Sequence, residues 1–318
     1  MDINTLFIDG NEQSITSNMT EWTSVPIKIA EDNNLFSYFR SLPIIISIVE
    51  GNPIQAGLWN LRRLLKDSKF VDCLDDISSS DLVGNPKYLI SFRCGGRDYR
   101  LNPTTIRYAN NACNILNIFG EKILDSTFYE IGGGYGGECK IFNDFSKKVN
   151  KKRVSWNIFD LPSSYGMIKK WLSIFKCEAN FISISDKFEI EQEAIVISNA
   201  ALSEMRGDLL KDYIDRVVLR CKYGYFITNF DLLSKPYGGW DTSQFIEYLR
   251  LNGKQDVQEV DCVNYLSYFD KQATQKLIIF GAKLVPISKK YFIQKIEIYL
   301  YLILSSLVKR YCNFFLRH

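Results

Sequence analysis

The chain has 318 residues, 46% of them hydrophobic, which is enough to bury a large core without disulfides and leaves room for one α/β domain plus an accessory region. Its 39 basic and 36 acidic residues leave a net charge of +3, too balanced to point to nucleic acid as a partner. The 8 cysteines are scattered, with no C-x-x-C pair and no nearby histidines, so they read as buried thiols of a reducing compartment rather than metal ligands.

The opening residues Met1-Asp2-Ile3-Asn4-Thr5 lack a basic stretch followed by an apolar run, and the expectation is a cytoplasmic protein. Residues 1 to about 40 are polar and irregular. Leu42 to Val49 is apolar and β-branched, bounded by Pro43 and Gly51, and fits either a strand or a buried helical turn. Ile54 to Leu65 has helical spacing, and Ser79 or Ser80 before Asp81 suits a helix cap. Thr104 to Phe119 reads as a further helix, with Pro103 just inside its start and Gly120 at its end. Residues 1–119 are therefore expected to form a mainly helical accessory or substrate-binding region.

Beyond residue 120 the pattern changes to short apolar runs separated by helical segments, the alternation of a parallel sheet with crossover helices. The runs are Ser126 to Ile131, Val154 to Phe159, Ala179 to Ile184, Ala194 to Ser198, Gly224 to Asn229, Val257 to Asp261 and Lys276 to Phe280. Helices are expected at Ser163 to Phe175, Leu202 to Lys222 and Thr242 to Leu251, and the basic run Lys147 to Arg153 reads as a solvated loop. Residues 120–285 thus read as an α/β domain with a seven-stranded sheet and helices on both faces. In 286–318, an amphipathic helix is expected, its apolar stretch well short of the roughly 20 residues that span a bilayer. It suits packing on the domain, on a second copy in a homo-oligomer, or on a membrane surface.

The segment Glu130-Ile131-Gly132-Gly133-Gly134-Tyr135-Gly136-Gly137 puts a glycine-rich turn directly after a strand and before a helix. Glycine there permits positive φ and close approach of a ligand to the backbone, which marks a small-molecule cradle. Gly132-x-Gly134-x-x-Gly137, with Asp160 further on, also satisfies the dinucleotide fingerprint. That pattern alone does not choose between ligands. Glu130 favours a cationic one, since a carboxylate repels a pyrophosphate and attracts an ammonium group. At the end of the second strand, Asp160-Leu161-Pro162 places Asp160 to accept hydrogen bonds from both ribose hydroxyls. Asp186, after the third strand, suits either an adenine amino group or a helix cap.

These residues resemble the class I S-adenosylmethionine-dependent methyltransferases: Glu130 to Gly137 looks like their first motif and Phe159 to Pro162 like their second. Ala194 to Met205, together with Gly84-Asn85-Pro86, is similar to a bacterial family of sugar O-methyltransferases associated with surface polysaccharide loci. The resemblance spans roughly residues 80 to 285. It implies a Rossmann-like methyltransferase sheet, S-adenosylmethionine as cofactor, and a sugar, nucleotide-sugar or glycan acceptor. Gly132, Gly133, Gly134, Tyr135, Gly137, Leu161, Ser198 and Asn199 join Glu130, Asp160 and Asp186 as candidate cofactor contacts.

Plant small-molecule relatives with a similar Asp-Leu-Pro segment use a histidine base after the fourth strand, but the sole histidine here is His318. A carboxylate is the remaining candidate base for a sugar hydroxyl. Glu204 follows the fourth strand and suits that role or an ion pair with Arg206; Asp231, after the fifth, suits a base or a helix cap. Glu204, Asp231 and Asp241 also offer oxygen ligands for a divalent cation, though their spacing forms no metal motif. Tyr237 and Trp240 are candidates to cover the sugar ring, and Arg97, Tyr99 and Arg100 to hold an anionic acceptor, or else to form a surface turn. The alternative is a nicotinamide-dependent oxidoreductase, for which the Tyr-x-x-x-Lys pairs Tyr165/Lys169 and Tyr291/Lys295 are the only hints.

Overall fold

A computed structural model describes residues 20–235, 238–260 and 275–282. The helix expected over 286–318, Tyr237 and the pair Tyr291/Lys295 lie outside them. The described residues fall in one compact unit ending at Ala282.

Six helices lead the described residues: α1 (Thr20–Glu31), α2 (Asn33–Ser37), α3 (Pro43–Ile48), α4 (Ile54–Leu64), α5 (Ser68–Asp72) and α6 (Leu74–Ser79). The apolar Leu42 to Val49 run is thus helical. Pro43 sits at its first helical position, where a missing N–H leaves no bond unmade.

Next comes a hairpin that the sequence reading took for a turn. Strands β1 (Ile90–Cys94) and β2 (Arg97–Leu101) pair antiparallel from Ile90↔Leu101 to Cys94↔Arg97. Gly95 and Gly96 close it with φ of 55° and 80°, the left-handed pair a tight hairpin turn requires. Helix α7 (Pro103–Phe119) follows, capped by the Asn102 side chain accepting from Thr104 N at 2.6 Å.

The main sheet contains β3 (Thr127–Ile131), β4 (Ser155–Phe159), β5 (Asn180–Ile182), β6 (Ala194–Asn199), β7 (Tyr223–Thr228), β8 (Gln258–Val260) and β9 (Lys276–Phe280). Its order is β5-β4-β3-β6-β7-β9-β8, seven strands as expected. The strands from β5 to β7 are parallel, and β9 inserts antiparallel between β7 and β8. This is a Rossmann-like α/β sheet with one strand inserted antiparallel near its edge. The order reverses at β3, so the carboxyl ends of β3, β4 and β6 open onto one crevice, where ligands of open α/β sheets bind.

Helices α8 (Gly137–Val149), α9 (Pro162–Ile174), α10 (Ala201–Glu204), α11 (Gly207–Arg216), α12 (Phe230–Leu233) and α13 (Thr242–Leu251) connect the strands. All five residues of β3 are buried, as a strand covered on both faces requires. The long helix expected over Leu202 to Lys222 is broken: the extended residues Met205 and Arg206 separate α10 from α11, and a 3-10 turn at Val218–Arg220 ends the segment.

Three buried ion pairs lie where the leading helices pack against the α/β domain. Arg40 meets Glu50 and Asp81, each at 2.7 Å, with all three side chains essentially without solvent contact. In α8, Lys140 meets Asp144 at 2.6 Å and also donates to Asp76 O and Ser79 Oγ near the end of α6. Lys170 in α9 donates to the last carbonyls of α1, Ile29 at 3.3 Å and Ala30 at 2.9 Å.

Candidate active site

The turn after β3 is fixed by its own backbone. Gly132 N donates to Phe159 O at 2.8 Å, and Gly136 N to Gly133 O at 2.7 Å. Gly132 has φ 85°, and a Cβ there would lie 2.3 Å from the Ala201 Cβ. That position is glycine because α10 crosses it, as well as for its φ. Asp160 lies beside the turn, its carboxylate accepting from Gly134 N at 3.1 Å and Leu161 N at 2.7 Å.

A cavity of about 90 Å³ lies over this turn. From the expected set, Glu130, Gly132, Gly134, Asp160, Asn199 and Glu204 line it. The opposite wall comes from Trp22 of α1, Ile48 and Val49 at the end of α3, and Arg107 and Tyr108 of α7.

The cavity concentrates acid. Glu130 is 3% exposed and accepts from Trp156 Nε1 at 2.8 Å. Glu138, in the first turn of α8, is 4% exposed and accepts from Asn111 Nδ2 at 3.0 Å. Burial, the neighbouring Glu138 charge and, more weakly, Asp160 hold the Glu130 carboxyl well above its ordinary range, against the pull of Trp156. Burial also raises Glu138, opposed by Asn111, Arg107 and Asn199. Asp160 is pushed up to about 6 by its withdrawal from water, despite the N–H groups of Leu161, Gly134 and Gly133 and the Ser164 hydroxyl.

Other polar atoms here lack partners. Arg107 Nε is buried and makes no hydrogen bond; its guanidinium lies over the Tyr108 ring, 5.3 Å from the centroid, and donates from Nη2 to the Val49 carbonyl at 3.5 Å. Asn199 lies near enough to Glu138 to favour its charged form, yet neither polar atom of its amide completes a hydrogen bond. Ala200, next along, has φ 75°, a strained conformation for a residue with a Cβ. Buried donors and acceptors left this way suit a polar ligand.

The sequence reading missed Arg107, Glu138 and Trp22. Glu138 alone had a legible signal, as an acid at the start of the helix that follows the glycine turn.

Other expected site residues do not line the cavity. Tyr135 is 1% exposed, its ring packed edge-on against Phe39, Tyr108 and Trp171 with the Arg40 guanidinium 5.1 Å above it. Gly133 and Gly137 back onto Ile158 and Tyr108. Leu161 contributes its N–H to Asp160, and Ser198 Oγ ties β6 to β3 through Ile131 O at 3.0 Å. Asp186 accepts from Ser183 N at 2.9 Å, closing the turn after β5. Asp231 accepts from Thr242 Oγ1 at 2.7 Å at the start of α13, and Trp240 packs on Tyr248 with ring centroids 5.0 Å apart. On the hairpin, Arg97 and Tyr99 both reach Asp75 at 2.8 Å, and Arg100 is exposed. The Tyr165 hydroxyl donates to Ile182 O at 2.9 Å. Among the described residues, no three His, Cys, Asp or Glu side chains form a metal-binding group.

No protein-family model and no curated protein matches the chain. Solved structures similar to it include the CMeT domain of the citrinin polyketide synthase, at 12% identity and TM-score 0.42 over 57% of this chain and 54% of that one. Others are PigF with SAH, at 12% identity and TM-score 0.36 over 55% of this chain and 59% of that one, and the N-methyltransferase NodS from Bradyrhizobium japonicum WM9 in complex with S-adenosyl-L-homocysteine, at 13% identity and TM-score 0.35 over 53% and 84%. The chain spans about half the length of the first of these, 54%.

Proposed function

We propose that the chain is an S-adenosylmethionine-dependent methyltransferase acting on a hydroxyl of a sugar, nucleotide-sugar or glycan in the cytoplasm. The observation that carries the cofactor assignment is the buried carboxylate pair Glu130 and Glu138 facing the glycine turn, with Asp160 beside it. Such a concentration of acid calls for a cation in the cavity and opposes a pyrophosphate. That disfavours the nicotinamide reading, as does the engagement of the Tyr165 hydroxyl by a backbone carbonyl.

When bound, S-adenosylmethionine supplies an electrophilic methyl group on a good leaving group. Asp160, held by two backbone N–H groups, accepts from the ribose hydroxyls. Glu130 and Glu138 attract the positive charge, and the Trp22 and Val49 wall screens the cavity from water. Glu204, on the cavity rim after β6, takes the acceptor proton as the hydroxyl oxygen approaches. The sugar acceptor rests on the motif resemblance over Ala194 to Met205.

Calorimetry with S-adenosylmethionine and with NAD tests the reading. S-adenosylmethionine should bind, and Asp160→Ala should weaken it by about 1–3 kcal/mol through unpaired ribose hydroxyls. Binding of NAD alone would reverse the assignment. For the base, Glu204→Gln should lower turnover by about 10²-fold to 10⁴-fold with cofactor affinity unchanged. Full turnover in that variant removes Glu204 from the role.

A further inference from the structure

A second concavity lies between the end of α9 and the start of β5, the strand at one edge of the sheet. It is a groove of about 420 Å³, against about 90 Å³ for the cavity over the glycine turn. Small-molecule sites occupy roughly 300–1,000 Å³. Because β5 runs parallel to β4, its first residues sit at the amino ends of the strands, the opposite end from the crevice. Leu172 and the half-buried Ala179 and Phe181 make the floor apolar, with buried Cys177 beside them. The rim is basic. Exposed Lys169 and Lys176 flank the floor, and among the described residues neither ammonium group has a hydrogen bond or ion pair. Burial raises the Cys177 thiol, while Lys147, Lys140 and Arg153 oppose the rise, so positive charge surrounds the groove. The nearby acids are engaged: Asp144 by Lys140 at 2.6 Å, and Glu178 on the rim by Arg153 at 3.7 Å.

We propose that this groove binds a single-chain amphipathic anion, its apolar chain on Leu172, Ala179 and Phe181 and its head between Lys169 and Lys176. The proposal goes beyond the methyltransferase reading and does not depend on it. A neutral apolar ligand would leave the basic rim unmatched, and an inorganic anion would leave the floor uncovered. The two lysines lie about two helical turns apart, close enough for flexible four-carbon stems to converge on one head group. Capping does not occupy Lys176: the last carbonyls of α9 are met by backbone N–H groups, Lys176 N donating to Ser173 O at 3.1 Å and Cys177 N to Leu172 O at 3.0 Å.

Calorimetry on the full chain with decanoate and decyl phosphate, each below the concentration at which it aggregates, tests the site. At least one should bind, and the tighter of the two identifies the head group. The double variant Lys169→Gln/Lys176→Gln should weaken that binding by roughly 5- to 30-fold, the scale of one to two exposed ion pairs at the upper end of their strength. Decanol, which lacks the charge, should bind the wild-type chain more weakly by a similar margin. Ser173→Trp, at an exposed position of α9 on the groove, puts a ring where the chain would lie and should abolish binding. Circular dichroism melting establishes that each variant is folded. S-adenosylhomocysteine should leave the affinity for the anion unchanged, because the two sites lie at opposite ends of the strands. Failure of both anions to bind, equal binding of decanol, full affinity in either variant, or displacement by S-adenosylhomocysteine overturns the proposal, and none of these outcomes bears on whether the chain binds S-adenosylmethionine.

Discussion

Arg40→Met is expected to destabilise the fold by about 3–5 kcal/mol, the cost of removing one partner from a buried ion-pair network. The guanidinium has no solvent exposure and serves four groups: Glu50 Oε1 and Asp81 Oδ1, each at 2.7 Å, Ser80 O at 2.9 Å and Thr105 Oγ1 at 3.2 Å. Glu50 already has one buried oxygen without a partner, so losing Arg40 leaves that carboxylate unsupported. Arg40 also sits over the rings of Tyr135 and Trp171, at 5.1 and 5.5 Å. Since Tyr135 belongs to the glycine turn, the same substitution should weaken S-adenosylhomocysteine binding although Arg40 does not line the cavity. Urea titration reads the first effect and calorimetry at low temperature the second. A loss below 1 kcal/mol would mean that Glu50 and Asp81 find water when Arg40 leaves.

That network shows where sequence reading stops. The strands from β3 to β9 were legible because a sheet covered on both faces makes short apolar runs, and the turn residues after β3 are local in the chain. Asp160 was legible by its offset from the glycines. Tyr135 looked equally local, yet its ring points away from the cavity, because Arg40 arrives from the leading helices to stack on it. Nothing near Arg40 in the chain signals that contact. Arg107 escaped for the same reason: it lies on a helix before the sheet begins, and only packing of α7 beside α8 brings it to Glu138. The hairpin escaped for a different one. With Arg93, Arg97, Asp98 and Arg100 exposed on it, β1 and β2 carry no apolar run, and the two glycines between them were read as a turn alone.

The acid cluster makes cofactor affinity depend on pH in a stated direction. In the free protein Asp160 titrates near 6, and burial raises Glu130 and Glu138 as well. A carboxyl whose folded value lies above its unfolded value of about 4 contributes most to stability below that unfolded value, and the contribution is lost as pH rises through the folded one. The free protein therefore holds protons here that a bound ammonium and two ribose hydroxyls displace. Binding of S-adenosylhomocysteine should release protons and tighten from pH 5 to 7, by about tenfold from Asp160 alone if its bound form stays ionised throughout. Calorimetry in buffers of different ionisation enthalpy counts the protons. Glu130→Gln should weaken binding at pH 7 by about 2–3 kcal/mol, the scale of a hydrogen bond to a charged group, and flatten the profile. A pyrophosphate ligand would behave in the opposite sense, taking up protons and losing affinity as these carboxylates ionise. Affinity that is flat or falls between pH 5 and 7 would therefore mean that Asp160 does not hold the ligand in its ionised form.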